Sequence, residues 1–254
     1  MSQVTVIAPP VTRAGRRVGA MLARLARDRS GTSLLEFAFT LPLVLAVGCW
    51  GIELSNLAIC NLRVSQYALN LADNASRVGL DSGSGVTTLR ETDVNDVLQG
   101  SKLEGAAIAL TANGRITLTS LENVQRSFSD GTSDAAPVQR VHWQRCTGAM
   151  SGTGYDSTYP TVPITAGSDG TRATAGMTVL NYGSAGTPIT APLNTGVMFV
   201  EINYLYKPLF GSLYISPRTI HYVASFIVRD NRSWVQVYNP SPAATASTCD
   251  KHSA

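Results

Sequence analysis

Sixteen consecutive uncharged residues, Phe37 to Ile52 (FAFTLPLVLAVGCWGI), constrain this chain more than any other feature in it. Carried on to Ile59 the run reaches 23 residues, interrupted only by Glu53. As a helix it spans about 34 Å, against a hydrocarbon core of about 30 Å. The uncharged stretch alone is short for that task, so Glu53 is expected near the far interface or against a protein partner. Pro42 would break a soluble helix but is tolerated in a membrane helix. Trp50 suits the headgroup boundary, where an aromatic ring with one polar atom is at home.

Charge sets the direction of insertion. Arg13, Arg16, Arg17, Arg24, Arg27 and Arg29 precede the apolar run, opposed only by Asp28. They account for the whole of the formal net charge of +3, and the remainder of the chain is slightly acidic. Such a distribution anchors an N-terminus in the cytoplasm and exports the chain beyond residue 60. It argues against nucleic-acid binding, which needs basic residues on a folded surface. With 15% charged and 44% hydrophobic residues, the 254-residue chain reads as neither disordered nor polytopic. A cleavable secretory signal fits poorly, because the basic region is long and small residues are badly placed for signal peptidase.

The junction before the run is Arg27-Asp28-Arg29-Ser30-Gly31-Thr32-Ser33-Leu34-Leu35-Glu36-Phe37. A glycine is followed, after four residues, by a glutamate and an aromatic at the mouth of an apolar helix. With the FxxxLPLxxxxxxGIxEL pattern, this stretch resembles the TadE-like family, minor pseudopilins of tight-adherence pilus systems. The resemblance is strongest over residues 27–80. It implies cleavage by prepilin peptidase between Gly31 and Thr32, leaving Glu36 and Phe37 as mature residues five and six. Glu36, costly in lipid, would then pair with the new α-amino group of an adjacent subunit. The competing reading of Glu36 is local: Ser33-x-x-Glu36 is a capping box, and an acid in the first turn offsets the helix dipole.

Trp50, Leu54, Leu57, Asn61, Val64, Ala68, Leu71, Ala75 and Val78 recur at 4-3 spacing, which predicts one helix continuing to about residue 79. The stripe packs either on sibling subunits or on the chain's own domain. Beyond a Gly/Ser-rich linker at 80–88, the sequence predicts a short helix from Thr92 to Gln99 and a hairpin of Ala107–Ala112 and Arg115–Leu121 about Asn113-Gly114. A strand is expected over Val138–Cys146, with Val141 and Trp143 on one side. Two more are expected over Val197–Tyr206 and Arg218–Arg229. Residues 147–190 lack periodicity and read as a flexible surface insertion. VEINYLYKPLF also resembles the family's closing segment. The expected class is α+β: a long N-terminal transmembrane helix (32–60) with an amphipathic continuation (61–79), following a basic leader (1–31) and packed on a small antiparallel sheet within an exported domain (80–254).

Cys49 and Cys60 lie on one helix about 16 Å apart and cannot bond each other. Cys146 and Cys249 both fall in the exported part, where oxidation is permitted, and are expected to pair. His142 and His221 alternate with apolar residues in strands and read as surface or edge residues. No motif nominates a catalytic residue, a metal site or a cofactor. The resemblance implies an assembly role rather than catalysis, in the bacterial inner membrane with the domain periplasmic. The partners it implies are prepilin peptidase, other minor pseudopilins, the major pilin, an inner-membrane assembly platform and membrane lipid. Alternatives are a periplasmic adhesin or binding domain that keeps its leader, and a tethered hydrolase whose head would gather Ser, His and Asp.

Overall fold

The structure is a computed structural model that describes residues 13–27, 30–81, 83–168, 170–172, 174–180, 182 and 188–253. The first twelve leader residues, Asp28, Arg29 and part of the 147–190 insertion lie outside the described residues. Two units divide the chain after Ile52. The first holds α1 (Arg13–Arg27) and the start of α2, a helix that runs unbroken from Ser30 to Arg77 with Pro42 inside it. The second, from Glu53, holds the rest of α2 and an α+β head.

In the head, a two-stranded ribbon of β1 (Leu80–Asp81) and β2 (Thr87–Thr88) leads into α3 (Glu91–Glu104). Glu91 and Asp93 lie in the first turn of α3, where their charge offsets the helix dipole. The Asp93 carboxylate also accepts the Arg90 backbone N–H at 3.0 Å. The helix continues through Gly100, past the end the sequence suggests.

The main sheet has five antiparallel strands in the order β5-β4-β3-β6-β7. These are β3 (Gly114–Val124), β4 (Val138–Thr147), β5 (Met177–Thr178), β6 (Thr195–Tyr206) and β7 (Arg218–Ile227). Alternation in β6 and β7 behaves as expected. Met198, Val200, Ile202 and Tyr204 share one face, which Ile220, Ala224 and Val228 extend. That face packs against α2 and α3 through Val64, Ala68, Leu71, Ala75, Val94 and Leu98.

Two expectations are corrected. The Asn113-Gly114 hairpin does not form: Gly105–Ile108 is a 3₁₀ turn, Ala109 takes a left-handed conformation (φ 50°), and Gly114 opens β3. Glycine is required there by crowding, since a Cβ would sit 2.8 Å from the Leu110 carbonyl oxygen and 2.9 Å from that of Asn203. Val141 and Trp143 do not share a face. The pairing steps from Ser120↔Trp143 to Leu121↔Val141, leaving His142 as the extra residue of a bulge. The bulge inverts the strand's alternation, so Trp143 enters the core under the helices and Val141 the one on the opposite face.

A second core shows that the described part of 147–190, largely exposed or half-buried, also buries side chains against the sheet. Tyr159, Val179 and Tyr182 are buried with Phe199 and Val197 against the sheet. Tyr159 and Tyr182 both stand edge-on to Phe199, at ring-centroid distances of 5.0 and 4.9 Å. Among the described residues of the segment, these side chains lie over the sheet, and β5 is the one strand.

Candidate anchor helix and processing junction

Gly31 and Thr32 sit in the first turn of α2, and Glu36 and Phe37 come one turn later, both exposed. Because the helix begins at Ser30, Ser33 lies inside it and is not an N-cap, so the capping-box reading of Glu36 falls. Nothing lies within 4 Å of where a Gly31 Cβ would be. Glycine there weakens the helix by about 0.5–1 kcal/mol relative to alanine, with no steric return. The same openness holds at Gly48 and Gly51. Since Gly31 is helical, a protease that needs an extended substrate must first unwind this turn.

From Gly31 to Ile52 every side chain is exposed except that of Cys49, which is partly covered. Leu34, Phe39 and Leu43 are 73%, 71% and 68% exposed. Eleven large apolar side chains stand bare between Leu34 and Ile52. At about 1.5–3 kcal/mol each, leaving them in water forgoes about 16–33 kcal/mol. That exceeds the roughly 5–15 kcal/mol by which whole domains are stable. By length and composition the segment could cross a membrane: its 22 residues measure about 33 Å, close to a hydrocarbon core. One window of α2 has a mean hydropathy of 1.8. Its one hydroxyl-bearing residue beyond the first turn, Thr40, donates to the Phe37 carbonyl at 3.2 Å, which masks the group without water.

Glu53, the first charge after the run, is completely buried. It finds its partners in the chain's own head: the Tyr206 hydroxyl donates to Oε1, and the backbone N–H groups of Leu209 and Phe210 approach at 3.3 and 3.1 Å. Asn56 Nδ2 in turn donates to the Tyr206 oxygen at 2.8 Å. Burial, reinforced by the hydrogen bond to Glu53, pushes the Tyr206 phenol up to about 12. The Lys207–Phe210 segment that follows β6 is what brings the two backbone donors to the carboxylate.

Below Glu53 the buried face of α2 runs through Cys60, Val64, Ala68, Leu71 and Ala75, with Leu57 partly covered. Of the predicted stripe, Leu57, Val64, Ala68, Leu71 and Ala75 hold, but Leu54 is 42% exposed and Asn61 is also exposed. Apolar spacing alone selects Leu54 over its neighbour. The true face passes through Glu53, whose charge is satisfied by hydrogen bonds. Arg232, buried, ends the helix by donating to the carbonyls of Ala75, Ser76 and Val78.

Cys146 and Cys249 form a disulfide with Cα atoms 4.7 Å apart, closing a separation of 103 residues. Beside it the buried Arg115 guanidinium donates to the carbonyls of Gly148 and Lys251 at 3.0 and 2.6 Å, and to that of Cys249. Burial lowers the pKa of Arg115 from the usual arginine value. His142, expected at a surface, is buried: the bulge turns it inward, where Nε2 accepts from Arg126 at 2.9 Å and Nδ1 faces Glu122 at 3.0 Å. His221 is 43% exposed at its side chain and meets Asn203 at 2.7 Å. Among the described residues, no three His, Cys, Asp or Glu side chains are grouped to hold a metal. The buried Glu122–Arg126–His142 set has no signature in the sequence, because the bulge that assembles it is invisible in a strand pattern. Comparison with protein-family models, curated proteins and solved structures finds no match.

Proposed function

We propose that this chain is a bacterial inner-membrane minor pseudopilin, acting structurally in the assembly of a tight-adherence pilus or related secretion system. The observation that supports it is α2: one helix whose first half is apolar and bare, and whose second half is built into the core of a folded head. In this reading Gly31 to Ile52 crosses the bilayer and residues before it stay in the cytoplasm, while the head is periplasmic. Prepilin peptidase cuts between Gly31 and Thr32. Glu36 then engages the freed amino group of a neighbouring minor pseudopilin or the major pilin on the assembly platform. The role requires no cofactor.

Co-expression with a prepilin peptidase, membrane extraction and N-terminal sequencing test this. A mature start at Thr32, abolished by Gly31→Leu, is expected. An intact Met1 would overturn processing and favour the membrane-anchored adhesin that keeps its leader.

A further inference from the structure

We infer that α1 is a membrane-surface helix that docks on anionic lipid headgroups in the plane of the bilayer, a reading that rests on α2 spanning the membrane. Its sequence, RAGRRVGAMLARLAR, holds five arginines and no acid. On helical spacing, positions 18, 21, 22 and 25 (Val, Met, Leu, Leu) fall within an arc of about 100°. Positions 13, 16, 17, 24 and 27, all Arg, occupy a separate arc of about the same width. Met21 and Leu22 are 66% and 63% exposed.

Fifteen residues make a helix of about 22 Å, too short to span the bilayer. A basic face and a narrow apolar face on such a helix match an interface with headgroups on one side and acyl chains on the other. Position in the chain makes that surface available, since only two residues separate α1 from α2. A second copy of α1 is a poorer occupant. Joining two apolar faces would turn both arginine arcs outward with no acid to answer them, whereas an anionic leaflet answers all five charges. Docked this way, α1 holds Gly31 at headgroup depth.

The test uses the full chain with residues 1–31 intact, Cys49 and Cys60 replaced by alanine, and an environment-sensitive fluorophore at Met21→Cys, Ala20→Cys or Val44→Cys. Each is reconstituted in phosphatidylglycerol-rich or pure phosphatidylcholine bilayers. The Met21 label is expected to move to an apolar environment in the anionic bilayers only, while the Ala20 label stays aqueous. Each arginine neutralised should weaken docking about fivefold, so Arg24→Gln with Arg27→Gln loses about 25-fold. A Met21 label that is aqueous in anionic bilayers overturns the inference. So does one equally buried in pure phosphatidylcholine, or one whose burial rises with protein-to-lipid ratio, which would indicate a second copy. The Val44 label separates the two readings. If it is aqueous, the membrane anchor itself fails; if it is lipid-buried while Met21 is aqueous, only the surface helix does.

Discussion

Glu53 looks from the sequence like an intrusion in an apolar segment, yet it is among the best satisfied side chains in the molecule. Its carboxylate accepts from one phenol and two backbone N–H groups. Glu53→Ala strands the buried Tyr206 hydroxyl, a loss worth about 1–3 kcal/mol, and frees two part-buried backbone N–H groups at smaller cost. We therefore expect the head's melting temperature to fall by about 5–15 °C in calorimetry of detergent-extracted protein. Glu53→Gln, which keeps the acceptor, should recover part of that loss. Tyr182 supplies a second residue-scale prediction. Burial pushes its phenol up to about 12 although Thr119 and Gln144 hydrogen-bond it. Because the folded value lies above the roughly 10 of an unfolded tyrosine, its contribution is complete below about pH 10 and is lost as pH rises towards about 12. Urea denaturation across that window should show stability falling more steeply in the parent than in Tyr182→Phe, by up to about 1.4 kcal/mol per pH unit.

Among the elements, α2 separates residues that the sequence treats alike. Leu71 is 2% exposed and Leu54 42%. Leu71→Ala should cost the head about 2–5 kcal/mol, and Leu54→Ala less than about 0.5 kcal/mol, by chemical denaturation. Losing the Cys146–Cys249 bridge, by reduction or a double serine variant, should remove about 4–5 kcal/mol in the chain-entropy model for so long a loop. Legibility from the sequence obeys a physical rule. Periodicity reveals β6, β7 and most of the α2 face, because those elements bury one side regularly. It misses His142, since a single inserted residue at the Ser120/Leu121 step reverses every later side chain in β4. It also misses Tyr159 and Tyr182, which are buried against the sheet from loops at no fixed spacing. Asn113-Gly114 misleads because its glycine answers a close backbone approach rather than a tight turn. The candidate processing residues Gly31 and Glu36 are legible only through resemblance; nothing packs on the site of a Gly31 Cβ.

For the molecule as a whole, the break after Ile52 predicts separable parts. A chain starting at Glu53 and exported behind a cleavable signal should be recovered without detergent and unfold in one calorimetric transition. Recovery only in the membrane pellet would show that the bare apolar surface is not confined to the first unit. The head also ties together segments far apart in the chain. β3, the middle strand, holds Arg115, whose buried cation is answered by carbonyls at Gly148, Cys249 and Lys251. Two of those three acceptors lie 134 and 136 positions downstream. The buried cation is therefore fully answered only once the segment carrying Cys249 and Lys251 has docked against the sheet. One side chain thus couples closure of the sheet to the seating of a distant stretch of chain.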